Sequence, residues 1–315
     1  MIISPKGGEI IKTKIPSLSY NAMFKAIFSN NKLILSKLIE AILDYYKVDI
    51  DIKGKEIIIR NNKLPINNYK DRELICDYII KLDDNTDLNI EINRSNYIGL
   101  VERNLTYSFK IFYEHFKARD KYKEFNKYAL FQVNFNNYPN YNNKSINRYY
   151  ILNIDDFKDK LTNNFNIINI DIDKCYDIVY NNDNLEGISD LEKWSGIIAC
   201  NYLEDINSIL ESGLLSMKEK ENFINDIKEK SKDKNILEGI KFEDSLDYRF
   251  ELVEEDAYER GTINGIEQGI KQGIEKKTSD VIKTMLEKKM SYQDISDISG
   301  KSISDIKKIE KSLKD

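Results

Sequence analysis

The stretch DYIIKLDDNTDLNIEIN, Asp77–Asn93, decides how the rest of the chain is read. Two runs of alternating apolar residues flank the turn-like DDNT, which predicts a β-hairpin with strands over about residues 73–82 and 87–93. Yet one run opens on Asp77, and the other sets Glu91 between Ile90 and Ile92. Alternation puts Asp77, Ile79 and Lys81 on one face of the first strand, and Asn89, Glu91 and Asn93 on one face of the second. A loop of odd length, such as Asp83–Asn85, places Asp77 opposite Glu91. A two-residue loop puts them on opposite faces, and a bulge reverses either outcome. Two carboxylates side by side on a sheet repel unless a cation lies between them, and a hard, oxygen-seeking ion such as Mg²⁺ or Mn²⁺ suits such a pair. Both acids facing solvent is the alternative that spacing leaves open.

Around the hairpin, apolar periodicity predicts the neighbouring elements. SYNAMFKAIFSN and NKLILSKLIEAILDYYKV read as helices, the second with an apolar stripe of Leu35, Leu38, Ile39, Ile42 and Leu43. KEIIIRN reads as a strand, followed by a loop marked by Pro65. Residues 97–120 read as a long helix with Arg103, Tyr107, Lys110 and Glu114 along one side, and YALFQVNFNN and RYYILNI as further strands. The order α, β, β, β, α, β predicts an α/β core, a mixed sheet flanked by helices. Beyond about residue 185 helices dominate, and Trp194 is expected to anchor a core there. The expected division is a core over 1–170, a helical region over 171–255, and a tail over 256–315.

That tail opens on Gly261, Gly265, Gly269 and Gly273, four residues apart, which form a ridge along a helix. Each glycine costs about 1 kcal/mol relative to alanine. Close approach of a second helix, possible homo-oligomerisation through Gly261–Gly273, is one reading; an exposed tandem repeat is the other. Ser291 and Ser302 or Ser304 are candidate N-caps for two short final helices, with Gly300 in the turn between them.

Composition excludes several chemistries. A chain of 315 residues with 41 % hydrophobic and 32 % charged content can build a real core. Nothing approaches the roughly 18 apolar residues of a membrane span, and the first residues lack the apolar core of a signal peptide, so a cytoplasmic protein is expected. The three cysteines, Cys76, Cys175 and Cys200, form neither a disulfide framework nor a zinc spacing. With His115 the single histidine, two-histidine metal sites are out, and no GxSxG elbow, Walker A or GxGxxG motif is present. Carboxylates must carry any catalysis. Residues 1–150 hold 24 Lys/Arg against 17 Asp/Glu, and the remainder 24 against 36. A basic first half suits a polyanionic partner.

ICDYIIKLDDNTDLNIEIN resembles the central motif of the PD-(D/E)XK nuclease superfamily, and the chain more closely resembles its Rpn family of recombination-promoting nucleases and putative transposases. FKAIF at Phe24–Phe28 matches that family's FKxxF; Asp77, the IEIN of Ile90–Asn93, and Arg103 with Tyr107 match its acidic strands and following helix. The Trp-bearing helical region and GxxxG-rich tail extend the likeness over nearly the whole chain. The resemblance implies a restriction-endonuclease-like core and a Mg²⁺- or Mn²⁺-dependent DNA endonuclease, tied to mobile-element recombination or to defence. Asp77 and Glu91 would be metal ligands, joined by the Ile92 carbonyl and, from its position alone, Glu40. Asn93 stands where Lys or Gln is usual, with Lys81 a candidate substitute, and Asn21 where relatives often carry Asp. Lys25, Arg94, Arg103, Tyr107 and Lys110 are the residues expected to contact nucleic acid, Arg103 equally being able to tether its helix to a carboxylate. A silent nuclease fold that binds DNA or oligomerises, and an RNA-directed nuclease, remain the alternatives.

Overall fold

Strict alternation along four strands gives one sheet an oily face and a polar one. The computed structural model describes residues 12–48, 52, 57–60, 63–64, 74–115, 121, 127–182 and 184–311. The loop expected around Pro65 lies outside them, as do residues 116–120 of the helix expected over 97–120.

Six strands form the main sheet: β1 (Ile58–Ile59), β4 (Tyr78–Asp83), β5 (Thr86–Asn93), β6 (Ala129–Asn136), β7 (Ile146–Tyr149) and β8 (Phe165–Asp171), ordered β1-β4-β5-β6-β8-β7. Pairing of β5 with β6 and of β6 with β8 is parallel, the rest antiparallel, so the sheet is mixed as expected. The short strands β2 (Lys63–Leu64) and β3 (Leu74–Ile75) pair separately.

The hairpin resolves its own parity problem. Its turn is the two-residue Asp84-Asn85, which alone would separate the two acids. Pairing runs Tyr78↔Ile90 to Lys81↔Asp87 and then shifts to Asp83↔Thr86, so a bulge absorbs one residue. The register before the bulge carries Asp77 to the level of Glu91.

The oily face presents Tyr78 and Ile80, Leu88, Ile90 and Ile92, Val133 and Phe135, and Ile168 and Ile170, all buried. It is covered by α1 (Asn21–Phe28), α2 (Lys32–Tyr46), α4 (Ile172–Tyr180), α5 (Asp190–Ala199), α6 (Leu203–Leu210) and α7 (Met217–Lys230), which share one core with it. Trp194 anchors this core, 1 % exposed and edge-on to Phe28 and Phe223. The polar face lies under α3 (Leu100–Tyr113), whose Tyr107 and Ile111 pack with Ile79 in a smaller cluster.

The chain divides into two compact units, residues 1–248 and 249–315. Helix α8 (Lys234–Glu287) contributes to the first through its opening turns. There Gly239 meets α1 so closely that an added Cβ would lie 3.0 Å from Ala22 Cβ. In the second unit, Ile282 packs with Ile295 of α9 (Tyr292–Ser299) and Ile306 of α10 (Ile303–Lys311). Ser291 caps α9, Gly300 ends it at φ 67°, and of the two candidate caps for the last helix Ser302 accepts the Asp305 N–H. Gly261, Gly265, Gly269 and Gly273 are exposed, with nothing among the described residues within 4 Å of an added Cβ.

Candidate active site

β5 threads the centre of the site, and every second residue on its polar side carries a functional group. Asn89, Glu91 and Asn93 lie in register with Gln132, Asn134 and Asn136 of β6. Asp77 stands at the bend where β4 begins, beyond the last paired residue, so its backbone and side chain are freed from the ladder. Its N–H donates to Glu91 Oε1 at 3.3 Å, and its own Oδ2 accepts the Ile92 N–H at 2.9 Å. A residue's N–H and C=O leave an antiparallel strand on the same side. The Ile92 carbonyl therefore points toward Asp77 as well.

Glu91 is 2 % exposed. Burial, and then the charge of Asp77, push its carboxyl up to about 8, against the pull of Arg103 and an Asn89 hydrogen bond at 3.1 Å. Arg103 reaches down from α3 to within 3.7 Å of Glu91 Oε2, and one guanidinium nitrogen donates to Asn93 Oδ1 at 2.7 Å. Its charge lies over the rings of Tyr97 and Tyr107, 5.7 and 5.5 Å from their centres. Asn93 in turn donates to Asn136 at 2.8 Å.

α1 supplies the other wall. Asn21 donates its amide to Asp77 Oδ1, and the Lys25 ammonium lies 3.7 Å from the same oxygen. The other atom of the Asn21 carboxamide, Oδ1, is buried without a hydrogen-bond partner among the described residues. No side chain of α1's own N-cap residue closes that helix; the carboxylate of Glu243, from α8, accepts the Asn21 and Ala22 N–H groups, each at 2.8 Å. Burial raises the Glu243 carboxyl, and those two hydrogen bonds oppose it.

Asp77, Glu91, Asn93, Ile92, Lys25 and Arg103 are thus brought together. Lys81 is not: four residues along β4 carry it about 13 Å from Asp77, and it pairs with Asp84 at 2.7 Å. It cannot stand in for the missing motif lysine. Glu40 pairs with Lys37 at 2.9 Å on α2, and no contact among the described residues joins its carboxylate to Asp77 or Glu91. Arg94 is occupied by Asp247 and Asp244 of α8, at 3.2 and 3.4 Å, while stacked 3.6 Å from the Tyr20 ring centre. Tyr107 is buried and serves as a platform for Arg103; Lys110, partly exposed, lies about two turns beyond Arg103 along α3.

Sequence reasoning missed Glu243 altogether, because nothing local marks a cap that acts across 222 residues. It noted Asn21 as a departure without assigning it a contact. It also missed the row of amides on β5, β6 and β8, although the alternation in DLNIEIN and FQVNFN was a visible signal.

Among the described residues, no group of three or more His, Cys, Asp or Glu side chains is arranged to hold a metal. The available donors are two carboxylates, a strand carbonyl and the partnerless Asn21 oxygen, all hard oxygens of the kind Mg²⁺ and Mn²⁺ prefer. No helix of the described residues is long and apolar enough to cross a membrane. A family model described as PD-(D/E)XK nuclease family transposase matches residues 20–248, the stretch that contains every one of these groups. No curated protein and no solved structure matches the chain.

Proposed function

This chain belongs to the PD-(D/E)XK nuclease family transposases, and we propose that it hydrolyses phosphodiester bonds of DNA with Mg²⁺ or Mn²⁺ held by Asp77 and Glu91. The observation that carries this reading is the adjacency of the two acids, the Asp77 N–H donating to the carboxyl of Glu91, which is almost completely buried. Burying a carboxyl beside another charge is costly unless it serves a purpose. Asp77, Glu91 and the Ile92 carbonyl would hold the ion, with the Asn21 carboxamide turning its orphaned oxygen inward as a fourth donor. At such a site a divalent ion supplies an acidified water and a clamp on phosphate oxygens.

The chain's own residues do the rest. Asn93 cannot supply the positive charge that Lys brings to this motif position. It instead accepts a hydrogen bond from Arg103 and so holds a guanidinium beside Glu91. Arg103 then stabilises charge that builds on the phosphate, in place of the absent lysine. Lys25, partly exposed beside Asp77, neutralises a neighbouring phosphate.

Plasmid cleavage with Mg²⁺ and with Mn²⁺, comparing wild type with Glu91→Ala, tests the reading. Cutting by wild type and none by the variant is expected. Binding of DNA without cutting by either would establish the silent fold instead. The biological setting would be mobile-element recombination or defence, and the Gly261–Gly273 ridge would bring two copies of the chain together.

A further inference from the structure

Beside the acid pair, α3 stands off the polar face of the sheet and leaves a pocket of about 360 Å³. Glu91 lies directly across from Asn134 in the β5–β6 register, one strand spacing, about 4.8 Å, from the pocket wall. That wall is built of neutral hydrogen-bonding groups: Gln132 and Asn134 of β6, Asn169 of β8, and Asn104 and Ser108 of α3.

These groups hold one another in fixed directions. Asn134 Oδ1 accepts from Gln132 at 2.7 Å and from Asn104 at 3.2 Å, while Asn134 Nδ2 donates to Asn169 at 2.7 Å. Ser108 donates to Gln132 Oε1 at 2.8 Å. Each of the Asn104, Gln132 and Asn134 amino groups keeps one hydrogen with no protein acceptor among the described residues, and Asn169 Nδ2 keeps both. A purely apolar ligand would leave them unpaired, at a real energetic cost. Among the described residues no carboxylate, lysine or arginine lines the pocket, so it is not made for a phosphate. The remaining walls are aliphatic, from Leu105 and Ile167, and aromatic, from Tyr138 and Tyr149.

A cluster of unspent donors without net charge, set between apolar and aromatic surfaces, matches the carbonyl and ring-nitrogen acceptors on the edge of a nucleobase and its two faces. The volume lies near the lower end of the roughly 300–1,000 Å³ of small-ligand pockets, room for a single nucleoside. We propose that the pocket takes one base, turned out of the stack of the strand whose phosphate lies at Asp77 and Glu91. The inference rests on the nuclease reading for that phosphate, and its test does not.

The full chain, free of divalent ions, is titrated with each of the four deoxynucleosides while the side-chain amide resonances of Asn104, Gln132, Asn134 and Asn169 are followed. At least one nucleoside shifts them. Leu105→Trp, which fills the pocket with an indole, abolishes the shifts. Tyr149→Ala, which removes an exposed ring without opening the core, weakens binding about tenfold through lost stacking. Failure of every nucleoside to move these amides, or shifts that persist unchanged in Leu105→Trp, overturns the pocket. Plasmid cleavage by the same preparations separates the two ideas. Cutting without any nucleoside response leaves the acid pair standing and removes the base site. A response without cutting keeps the base site and removes the nuclease.

Discussion

Asp87 and Glu91 share one face of β5, four residues and about 13 Å apart, and both are almost completely buried, at 1 % and 2 % exposure. Their surroundings are opposite in kind. Asp87 Oδ2 receives Arg60 at 2.6 Å and His115 Nε2 at 2.8 Å, and Arg60 also binds Glu114 at 2.7 Å, with the histidine ring stacked on Tyr128. Asp87 is tied there to a guanidinium and an imidazole at hydrogen-bonding distance, and the chain's only histidine is spent on structure. At the other end Glu91 faces a second acid and meets its guanidinium at 3.7 Å, beyond hydrogen-bonding reach. One end of the strand is held by the fold's own hydrogen bonds; at the other, the two acids have Arg103 and Lys25 only at 3.7 Å. The difference teaches that burial of an acid marks a functional site only where its partners fail to balance it.

The sharpest way to break this contrast is to remove the guanidinium. Arg103→Ala should lower the cleavage rate by about 10²–10³, as loss of a transition-state donor does, whereas Arg60→Ala should leave it within about threefold. Equal losses would erase the distinction between the ends. Stability should respond in the reverse sense. Asp87→Ala leaves Arg60 and His115 without their buried carboxylate and should cost about 2–3 kcal/mol in urea unfolding, discounted because Arg60 is partly exposed; Asp77→Ala, which relieves repulsion on Glu91, should cost less than half of that.

The acid pair also sets a pH dependence. The folded Glu91 carboxyl lies at about 8 against an ordinary 4.5, so the native state binds a proton there that the unfolded chain has already released. Without divalent ions, stability from this group is full below about pH 4.5 and falls away as pH rises to about 8. Thermal melts of Glu91→Gln should lack that slope relative to wild type; an identical slope would show that Glu91 ionises normally. A smaller effect is expected at the support of Asn21. Glu243→Ala removes the cap of α1 and should cost about 1 kcal/mol, with a larger loss in cleavage than in stability as Asn21 loosens from Asp77. The smallest effect lies in the second unit. Gly265→Leu with Gly269→Leu should lower the mass seen in sedimentation if the ridge joins two chains; an unchanged mass would leave these as exposed positions, where alanine adds up to about 1 kcal/mol each.

Much of the fold was legible because it rests on period. Alternation in Tyr78–Asn93 and Ala129–Asn136 and the stripe of Leu35–Leu43 predicted strands and helix without help from distant residues. Parity, too, could be posed from sequence, but not solved. Whether Asp77 meets Glu91 depends on a bulge between Lys81 and Asp83 that no residue type there announces. The partners of the site were the least legible. Glu243 reaches Asn21 because Gly239 lets α8 lie close against Ala22, a long-range packing event with no local signature. Lys81 misled for the converse reason: sharing a face with Asp77 fixes its direction, while distance along the strand removes it from the chemistry.

Calorimetric titration of Mn²⁺ into wild type, Glu91→Gln and Asp87→Asn tests the contrast between the two ends most directly. Binding by wild type and by Asp87→Asn, with none by Glu91→Gln, is the result predicted. Binding that survives in Glu91→Gln and disappears in Asp87→Asn would place the ion at the other end of the strand and contradict the account.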